Sequence, residues 1–260
     1  MALFVCAPLA AHPAWGIVVN SHGEVYYSDL ETVWKIDRAG HKSVARAAGG
    51  HHVHELAIDD HDNVYGGDYD GTNTRVWKMT PSGNVTFIDA TGVWRDYSVD
   101  ENEHLRQQTR ILHHGTTLVA GGRFGHADGF REHAQFGHIV ALTVADAIYV
   151  TDDPYVRRVT FDGHVTTIAR DLDRPHATNA IDFGYLMGLA VDRNGVIYVA
   201  DFRNRRVLKI AHGVVTTIAT SPAPWSPTGV AIGRNGEIYA LENGFRQPGK
   251  WLEPRVRRVK

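Results

Sequence analysis

Short segments in which apolar and polar residues alternate recur along the whole chain. Alternation over four to eight residues is typical of a β-strand with one buried face, and Asn-Gly between two such runs is typical of a hairpin turn. Both signals occur together here, as in the turns at Asn194-Gly195 and Asn235-Gly236. Five such segments, each predicting a hairpin, align without a gap: WGIVVNSHGEVYYSD (15–29), HELAIDDHDNVYGGD (54–68), HIVALTVADAIYVTD (138–152), MGLAVDRNGVIYVAD (187–201) and TGVAIGRNGEIYALE (228–242).

A second predicted hairpin follows the first, as in 74–89, 155–169 and 205–219. Four antiparallel strands per unit are typical of a β-propeller blade. The segments recur at roughly even spacing except for one double interval, so we expect a degenerate unit inside it. The sequence thus predicts an all-β, six-bladed β-propeller in a single domain, 1–260, with blades at about 13–48, 52–90, 95–122, 136–170, 186–220 and 227–260.

The last unit lacks a fourth strand, because the chain ends after PRVRRVK (254–260). Residues 1–10 contain the strand-like run Leu3 to Cys6. We expect this N-terminal strand to complete the last blade, since a ring closed in this way leaves no open sheet edge. A short cleaved leader is the alternative, although Met1 to Ala11 lacks the basic start of a signal peptide.

Composition narrows the classes of partner. The chain has 260 residues, 43% of them apolar, which is enough for one large core. A formal charge of −2 does not provide the excess of lysine and arginine that nucleic-acid binding requires. No apolar run is long enough to span a membrane. Cys6 is the only cysteine, so an internal disulfide and a thiolate zinc site are excluded. We expect a soluble, monomeric, cytoplasmic protein, with secretion left open.

Histidine is abundant, with 16 residues, and the blade alignment sorts these residues by face. Imidazoles that open neighbouring inner strands can converge on one axial ion. The alternative is a set of hydrogen-bonded structural histidines. We expect a metal site at His54 and His138, with zinc as the ion, although iron and copper also accept imidazole. The third ligand is expected from His51, His52, His12 or Glu55, in that order. The residues that open the five aligned strands are Trp15, His54, His138, Met187 and Thr228.

Three long connections on the same face, at 91–97, 171–185 and 243–254, bring aromatic residues and arginines toward this site. Arg95 is expected to bind a substrate carboxylate, and Tyr97, His12 or Glu55 to transfer a proton. The alternative is that the aromatic side chains cap the core. The residues expected to line a substrate pocket are Trp15, Asp68, Tyr69, Met187, Tyr185 and Phe245.

Acidic residues end the second strands, at Asp29, Asp68, Asp152, Asp201 and Glu242. We expect these carboxylates to accept hydrogen bonds from the loops that follow. Asp68 is the candidate for a different role, because it stands beside Tyr69 and could orient a ligating imidazole.

The stretch 116–159 resembles the NHL-repeat pattern, with AGG, ADG, A-x-F and YV-x-D in order. This resemblance implies the propeller fold and leaves function open, since NHL propellers include enzymes, RNA binders and docking modules.

HELAI (54–58) and HIVAL (138–142) also resemble the H-x-L-A-L strands of peptidyl-hydroxyglycine amidating lyases, which bind zinc through three histidines. The resemblance implies a ligand role for His54 and His138 only, because the third histidine and the disulfides of that family have no match. Gluconolactonase propellers are less similar at the axis, since they present oxygen ligands. Streptogramin lyases use histidine and glutamate, and Glu55 and Glu242 leave that possibility open without a motif match.

These observations predict a metal-dependent lyase or hydrolase that acts on a small organic substrate at the axial mouth, with a carboxylate as one expected substituent. The alternative is a non-catalytic NHL scaffold that docks a protein or peptide on its upper face.

Overall fold

Almost all of the regular structure is β-strand, with a single 3-10 helix of three residues in the part of the chain that the structure describes. The computed structural model describes residues 13–70, 74–88, 104–107, 109–113, 117–170, 172, 186–247 and 250–259. The predicted N-terminal strand, 1–10, lies outside the described residues.

The first two sheets each contain four antiparallel strands, which pair in the order of the sequence. The first sheet comprises β1 (Ile17–Val19), β2 (Val25–Ser28), β3 (Thr32–Ile36) and β4 (Lys42–Ala47). The second comprises β5 (Leu56–Ile58), β6 (Val64–Tyr69), β7 (Thr74–Met79) and β8 (Val85–Phe87).

The third sheet has three described strands, in the order β11-β10-β9. β10 and β11 pair as an antiparallel hairpin. The strands are β9 (His104–Gln107), β10 (Arg110–His113) and β11 (Thr117–Gly121).

The fourth sheet gains a fifth strand, because β13 pairs with the first two residues of β18 along its outer edge. Two further short strands, β12 and β14, pair with each other in parallel. The elements of this region are β12 (Arg123–Phe124), β13 (Gly129–Phe130), the 3-10 helix Arg131–His133, β14 (Gln135–Phe136), β15 (Ile139–Val144), β16 (Ile148–Asp152), β17 (Tyr155–Val159) and β18 (His164–Ala169).

The fifth sheet repeats the simple four-stranded order, whereas the last sheet is built around one long strand, β24, that pairs with all three others. The fifth sheet comprises β19 (Leu186–Val191), β20 (Ile197–Asp201), β21 (Arg206–Ala211) and β22 (Val214–Thr220). The last comprises β23 (Trp225–Ile232), β24 (Ile238–Gln247), β25 (Lys250–Trp251) and β26 (Arg255–Arg258).

The sheets are arranged as propeller blades, because the first strands of successive sheets lie against one another. Contacts run from β5 to β1, from β1 to β23, from β23 to β19, from β19 to β15, and from β15 to β9. The predicted all-β propeller is therefore confirmed. Five sheets have four or more strands, so six complete blades are not confirmed: the third sheet shows three strands among the described residues.

The core lies between neighbouring blades, where the apolar faces of adjacent sheets meet. Leu189, Ile197 and Val199, whose alternation predicted two strands, are buried between the fourth and fifth sheets. Trp77 and Phe136 are fully buried in other blade interfaces. Each blade therefore depends on its neighbours for burial of its apolar face.

Two of the carboxylates that end the second strands, Asp29 and Asp201, accept hydrogen bonds from amides of the loop that follows, as expected. Four of the five also form ion pairs with arginine, namely Asp68, Asp152, Asp201 and Glu242. Asp152 accepts a 2.9 Å bond from Arg157, and both side chains are fully buried. Asp201 accepts a 2.6 Å bond from Arg206. Burial raises the pKa of Asp201, in opposition to its hydrogen bonds from Arg206 and Asn204.

Three inner strands carry glycine at the second position of the repeat: Gly16, Gly188 and Gly229. A Cβ on Gly229 would lie 2.2 Å from the carbonyl oxygen of Trp15, and one on Gly16 would lie 2.8 Å from the backbone carbon of Glu55. Glycine is required at these positions because the inner strands approach each other at the level of their backbones.

Glu242 provides a prediction about acid stability. Burial opposes its ionisation, but hydrogen bonds from Ser221, Arg257 and Arg255 outweigh that effect and lower the pKa of its carboxyl below the ordinary 4.5. The carboxylate therefore stabilises the fold above the ordinary pKa of glutamate, and this contribution disappears as the pH falls through the lower pKa of the folded state. We expect Glu242→Gln to lower the free energy of unfolding by about 3 kcal/mol at pH 7.

The measurement is urea unfolding of the wild-type protein and E242Q from neutral pH down to about pH 3. The gap between the two proteins should narrow below the ordinary pKa. Glu132→Gln, on the exposed 3-10 helix, is the control and should leave stability almost unchanged. A gap that is independent of pH would contradict the ionic role of Glu242.

A second prediction concerns the glycine contacts near the axis. Gly229→Ala should destabilise the protein by about 1–3 kcal/mol, because the new methyl group meets the Trp15 carbonyl and forces two inner strands apart. Gly188→Ala is the matched control, since its Cβ would meet the backbone of Gly229 and Thr228 at 3.0 and 3.1 Å and Trp15 only at 3.4 Å, and it should cost less. Urea unfolding of both variants measures the difference, and equal destabilisation would rule out the Trp15 contact as the cause.

Candidate functional site

Trp15 joins the first two blades at the start of their inner strands. The amides of Trp15 and Gly16 donate to the carbonyl oxygen of His54, at 3.0 and 2.8 Å. The indole ring stacks on the His54 imidazole, with 5.5 Å between ring centroids and 13° between planes. The indole Nε1 also donates a hydrogen bond to the Glu55 carboxylate. One indole therefore contacts both an imidazole and a carboxylate.

Two more rings complete this group. The Tyr69 ring lies 5.7 Å from that of His54, and the His52 ring lies 6.0 Å away in an edge-on orientation. His52 and Tyr69 exchange two backbone hydrogen bonds, of 2.8 and 2.9 Å, which fix both residues at the end of β6. We call Trp15, His52, His54, Glu55 and Tyr69 the His54 cluster.

The His54 cluster lies at the boundary between core and solvent. All five residues are half-buried. The Nε2 atom of His54 and the Oε2 atom of Glu55 are nevertheless shielded from water. Shielding strengthens electrostatic interactions with any group that enters the cluster. An imidazole and a carboxylate in this setting can both take part in proton transfer.

The backbone position of Glu55 places this carboxylate close to the axis. In the aligned repeats, the equivalent positions are glycine in three blades and Ile139 in a fourth. Glu55 is therefore the one charged residue at this position among the five aligned segments. The sequence indicated a proton-transfer role for Glu55 but not its bond to Trp15, although the repeated glycines were a signal of close approach at this level.

His138 occupies the position equivalent to His54 but has different surroundings. Its side chain is exposed. The amides of His138 and Gly137 donate to Asp152, at 2.9 and 2.7 Å, so the backbone here is held by a strand-end carboxylate. His51, the expected third ligand, places its Nδ1 3.1 Å from the carbonyl oxygen of Ala48.

His51, His54 and His138 are the predicted ligands of one zinc ion. Zinc ligand atoms must all lie about 2 Å from one ion. Within the described ranges, the side chains that come close enough are Asp59, Asp60 and His61, not the three predicted histidines. Zinc binding by His51, His54 and His138 therefore stays a prediction.

Asp59, Asp60 and His61 lie in the turn between β5 and β6. Asp59 accepts hydrogen bonds from the amides of His61 and Asn63 and from the Tyr65 hydroxyl, at 2.8 to 3.0 Å. These bonds lower the pKa of Asp59, although burial acts in the opposite direction. Its carboxylate thus holds the turn together.

Two predicted pocket residues have structural contacts instead. Asp68 is buried and accepts hydrogen bonds from Arg46 at 2.8 Å and Trp77 at 2.9 Å, so its carboxylate is engaged away from the imidazoles. Met187 is buried in the core between the fifth and last sheets, and its carbonyl oxygen accepts a 3.0 Å bond from Thr151. Among the described residues, the donors to the Asp68 carboxylate are Arg46 and Trp77, in place of the expected imidazole.

The remaining predicted site residues cannot be placed by their side chains. His12, Arg95, Tyr97 and Tyr185 lie outside the described residues. The backbone of Phe245 belongs to β24 and pairs with Trp251, whereas its side chain lies outside the described part. The predicted pocket is therefore represented by Trp15 and Tyr69, which the structure brings together around His54.

Comparisons with known proteins bear on the fold. Residues 183–210 match the family model of the NHL repeat. No curated protein matches the sequence significantly. No helix in the described part of the chain is long and apolar enough to cross a membrane.

Several solved structures are similar along most of the chain. A Bacteroides thetaiotaomicron protein of unknown function has a TM-score of 0.64 and 16% identity, over 96% of this chain and 71% of that one. A streptogramin B lyase has a TM-score of 0.61 and 11% identity, over 96% of both chains. A gluconolactonase from Xanthomonas campestris has a TM-score of 0.59 and 12% identity, over 94% of this chain and 87% of that one. At these identities the likeness establishes the propeller fold, and the resemblance to amidating lyases is not confirmed.

Proposed function

We propose that this protein is a propeller enzyme of the lyase or hydrolase type, which acts on a small organic molecule at the His54 cluster. The observation that carries the proposal is the position of Trp15, which stacks on His54 and binds Glu55. Adjacent residues thus present an imidazole and an oriented carboxylate beside a common aromatic wall. Such a combination of polar groups and aromatic walls is typical of small-molecule sites.

The two functional groups suit the proton transfers that both reaction types require. Imidazole changes charge near neutral pH, and a carboxylate held by an indole donor has a fixed direction. In a lyase reaction, the base takes a proton from the carbon next to a carbonyl group, a C=C bond forms and the C–O bond to the leaving group breaks. In a hydrolase reaction, the base takes a proton from water, whose oxygen attacks the carbonyl carbon. The C–O ester bond then breaks, and the protonated base returns the proton to the departing alkoxide.

Structural neighbours support this class of function. They include the streptogramin B lyase and the gluconolactonase described above, together with a luciferin-regenerating enzyme that has a TM-score of 0.57 and 15% identity. Three enzymes on similar propellers make lactones and carboxylate esters the first compounds to test. The expected contributions of Arg95 to carboxylate binding and of Tyr97 or His12 to proton transfer remain part of the proposal.

The prediction is tested with a panel of lactones and carboxylate esters that includes streptogramin B and gluconolactone. Products are analysed by liquid chromatography and mass spectrometry, because hydrolysis adds the elements of water whereas ring-opening elimination leaves the mass unchanged. We expect His54→Ala and Glu55→Gln each to lower kcat/KM by about 10²–10⁴-fold, the usual contribution of a general acid or base.

His138→Ala is the matched control, because His138 has the same repeat position but lies exposed and outside the His54 cluster. Its activity should stay close to that of the wild-type protein. Equal loss in H54A and H138A, together with loss of bound zinc on elemental analysis, would instead favour the two-histidine metal site. Full activity in both H54A and E55Q would overturn the proposal.

One observation favours the alternative of a docking scaffold. Phe124 is 79% exposed on the connection between the third and fourth sheets, which is unusual for a large apolar side chain. A scaffold predicts that Phe124→Ser abolishes capture of a protein partner, whereas the enzyme proposal predicts no change in turnover by this variant.

A further inference from the structure

We propose that a groove between the first and last sheets, at the strand ends opposite the His54 cluster, binds a small organic anion. The groove has a volume of about 490 Å³ and lies between the β1–β2 and β3–β4 turns of the first sheet and the β23–β24 turn of the last. This volume is within the usual range of small-molecule sites, about 300–1,000 Å³. We call it the basic groove, after Arg38, Arg234 and Arg258, which line it.

The walls of the basic groove are held in place by their own side chains. Asn20, Asp37 and Glu237 each accept hydrogen bonds from backbone amides of their own turns, at 2.8 to 3.1 Å. The β1–β2 turn is also tied to the second sheet, because the Ser21 amide donates to Asp62 at 2.7 Å. A ligand would therefore meet turns that are already ordered, which reduces the entropic cost of binding.

The charges in the groove favour an anion. Hydrogen bonds from the His41 backbone amide and side chain lower the pKa of Asp37. Backbone hydrogen bonds and Asn235 lower the pKa of Glu237. Both acids are thus ionised at neutral pH, and three arginines outnumber them. The carboxylates are also committed to their turns, so they do not neutralise every guanidinium.

Two of these arginines are available to a ligand. Arg38 and Arg234 are exposed, and no hydrogen bond or ion pair holds either guanidinium among the described residues. They come from turns of different blades that border the same groove. Guanidinium groups bind carboxylates and phosphates through paired N–H donors, so two of them on one groove suit a compact anionic group.

Part of the lining is apolar and suits the body of an organic ligand, beside the polar residues Ser21, His22 and Asn235. Val25, Ile36, Tyr239 and Val256 contribute to the groove between the charged turns. An inorganic ion would leave this surface uncovered. The expected ligand therefore combines a carboxylate or phosphate with an aryl or alkyl group. Burial of that apolar group adds to the binding free energy of the ionic contacts.

The experiment measures binding by isothermal titration calorimetry with phenyl phosphate and benzoate as probes and benzyl alcohol as the neutral analogue. We expect saturable binding of at least one anion and none of the alcohol. Comparison of the two anions identifies whether phosphate or carboxylate is preferred. Arg38→Ala and Arg234→Ala should each weaken binding about tenfold, the effect of losing one charged hydrogen-bonding partner.

Arg193→Ala is the matched control, because Arg193 stands at the equivalent turn of the fifth sheet, is exposed and does not line the groove. It removes the same charge and should leave binding within twofold. Absence of saturable binding by the wild-type protein, equal weakening by R193A, or equally tight binding of benzyl alcohol would overturn the proposal.

His54→Ala separates this site from the proposed active site. Binding of the anion should be unchanged in H54A, because the His54 cluster lies at the other end of the inner strands. Loss of binding in H54A would place the anion at that cluster and overturn the groove assignment, whereas loss of turnover alone leaves it intact.

Discussion

A carboxylate at the end of the second strand ties each complete blade to donors on other strands. Asp68, Asp152, Asp201 and Glu242 are buried, and each meets at least one arginine. A buried charge of this kind is tolerated only when its partners are in place, so the pairs fix where the second strand ends and where the connecting segment begins. These ion pairs therefore position the connections between blades, which carry the residues of the candidate site.

The second blade shows how this constraint reaches the candidate site. Arg46, on the outer strand of the first blade, binds Asp68 of the second and also lies over the Trp77 ring, 4.4 Å from its centre. Tyr69 follows Asp68 directly and exchanges backbone bonds with His52. The His54 ring then packs between Tyr69 and Trp15. The Arg46–Asp68 ion pair, which is structural, and the His54 cluster are therefore neighbours in one segment. The role of each residue depends on which side of the strand it occupies.

The two faces of the propeller differ in chemistry as well as position. The face where blades connect presents imidazole, indole and carboxylate groups next to one another. The turn face presents the arginines of the basic groove, beside apolar side chains, at the junction of the first and last blades. Propellers commonly place function in loops supported by rigid sheets. In this protein, the turns around the basic groove are held by Asn20, Asp37 and Glu237, so that face is also ordered enough to recognise a ligand.

The sequence by itself determined the propeller, because strand alternation and hairpin turns are local properties that recur in each repeat. It also indicated that the strand-end acids are structural and that His54 and Glu55 are candidates for chemistry. Only the tertiary structure decided that Trp15 contacts both of these residues, that His138 is exposed although its repeat position is the same, and that Met187 lies in the core. These outcomes depend on which blades meet and how closely their inner strands approach. The backbones of Gly229 and Trp15 are an example, because they approach so closely that a Cβ on Gly229 would overlap the Trp15 carbonyl oxygen. A repeat alignment shows equivalent positions, but it does not contain the distances between blades that give equivalent positions different surroundings.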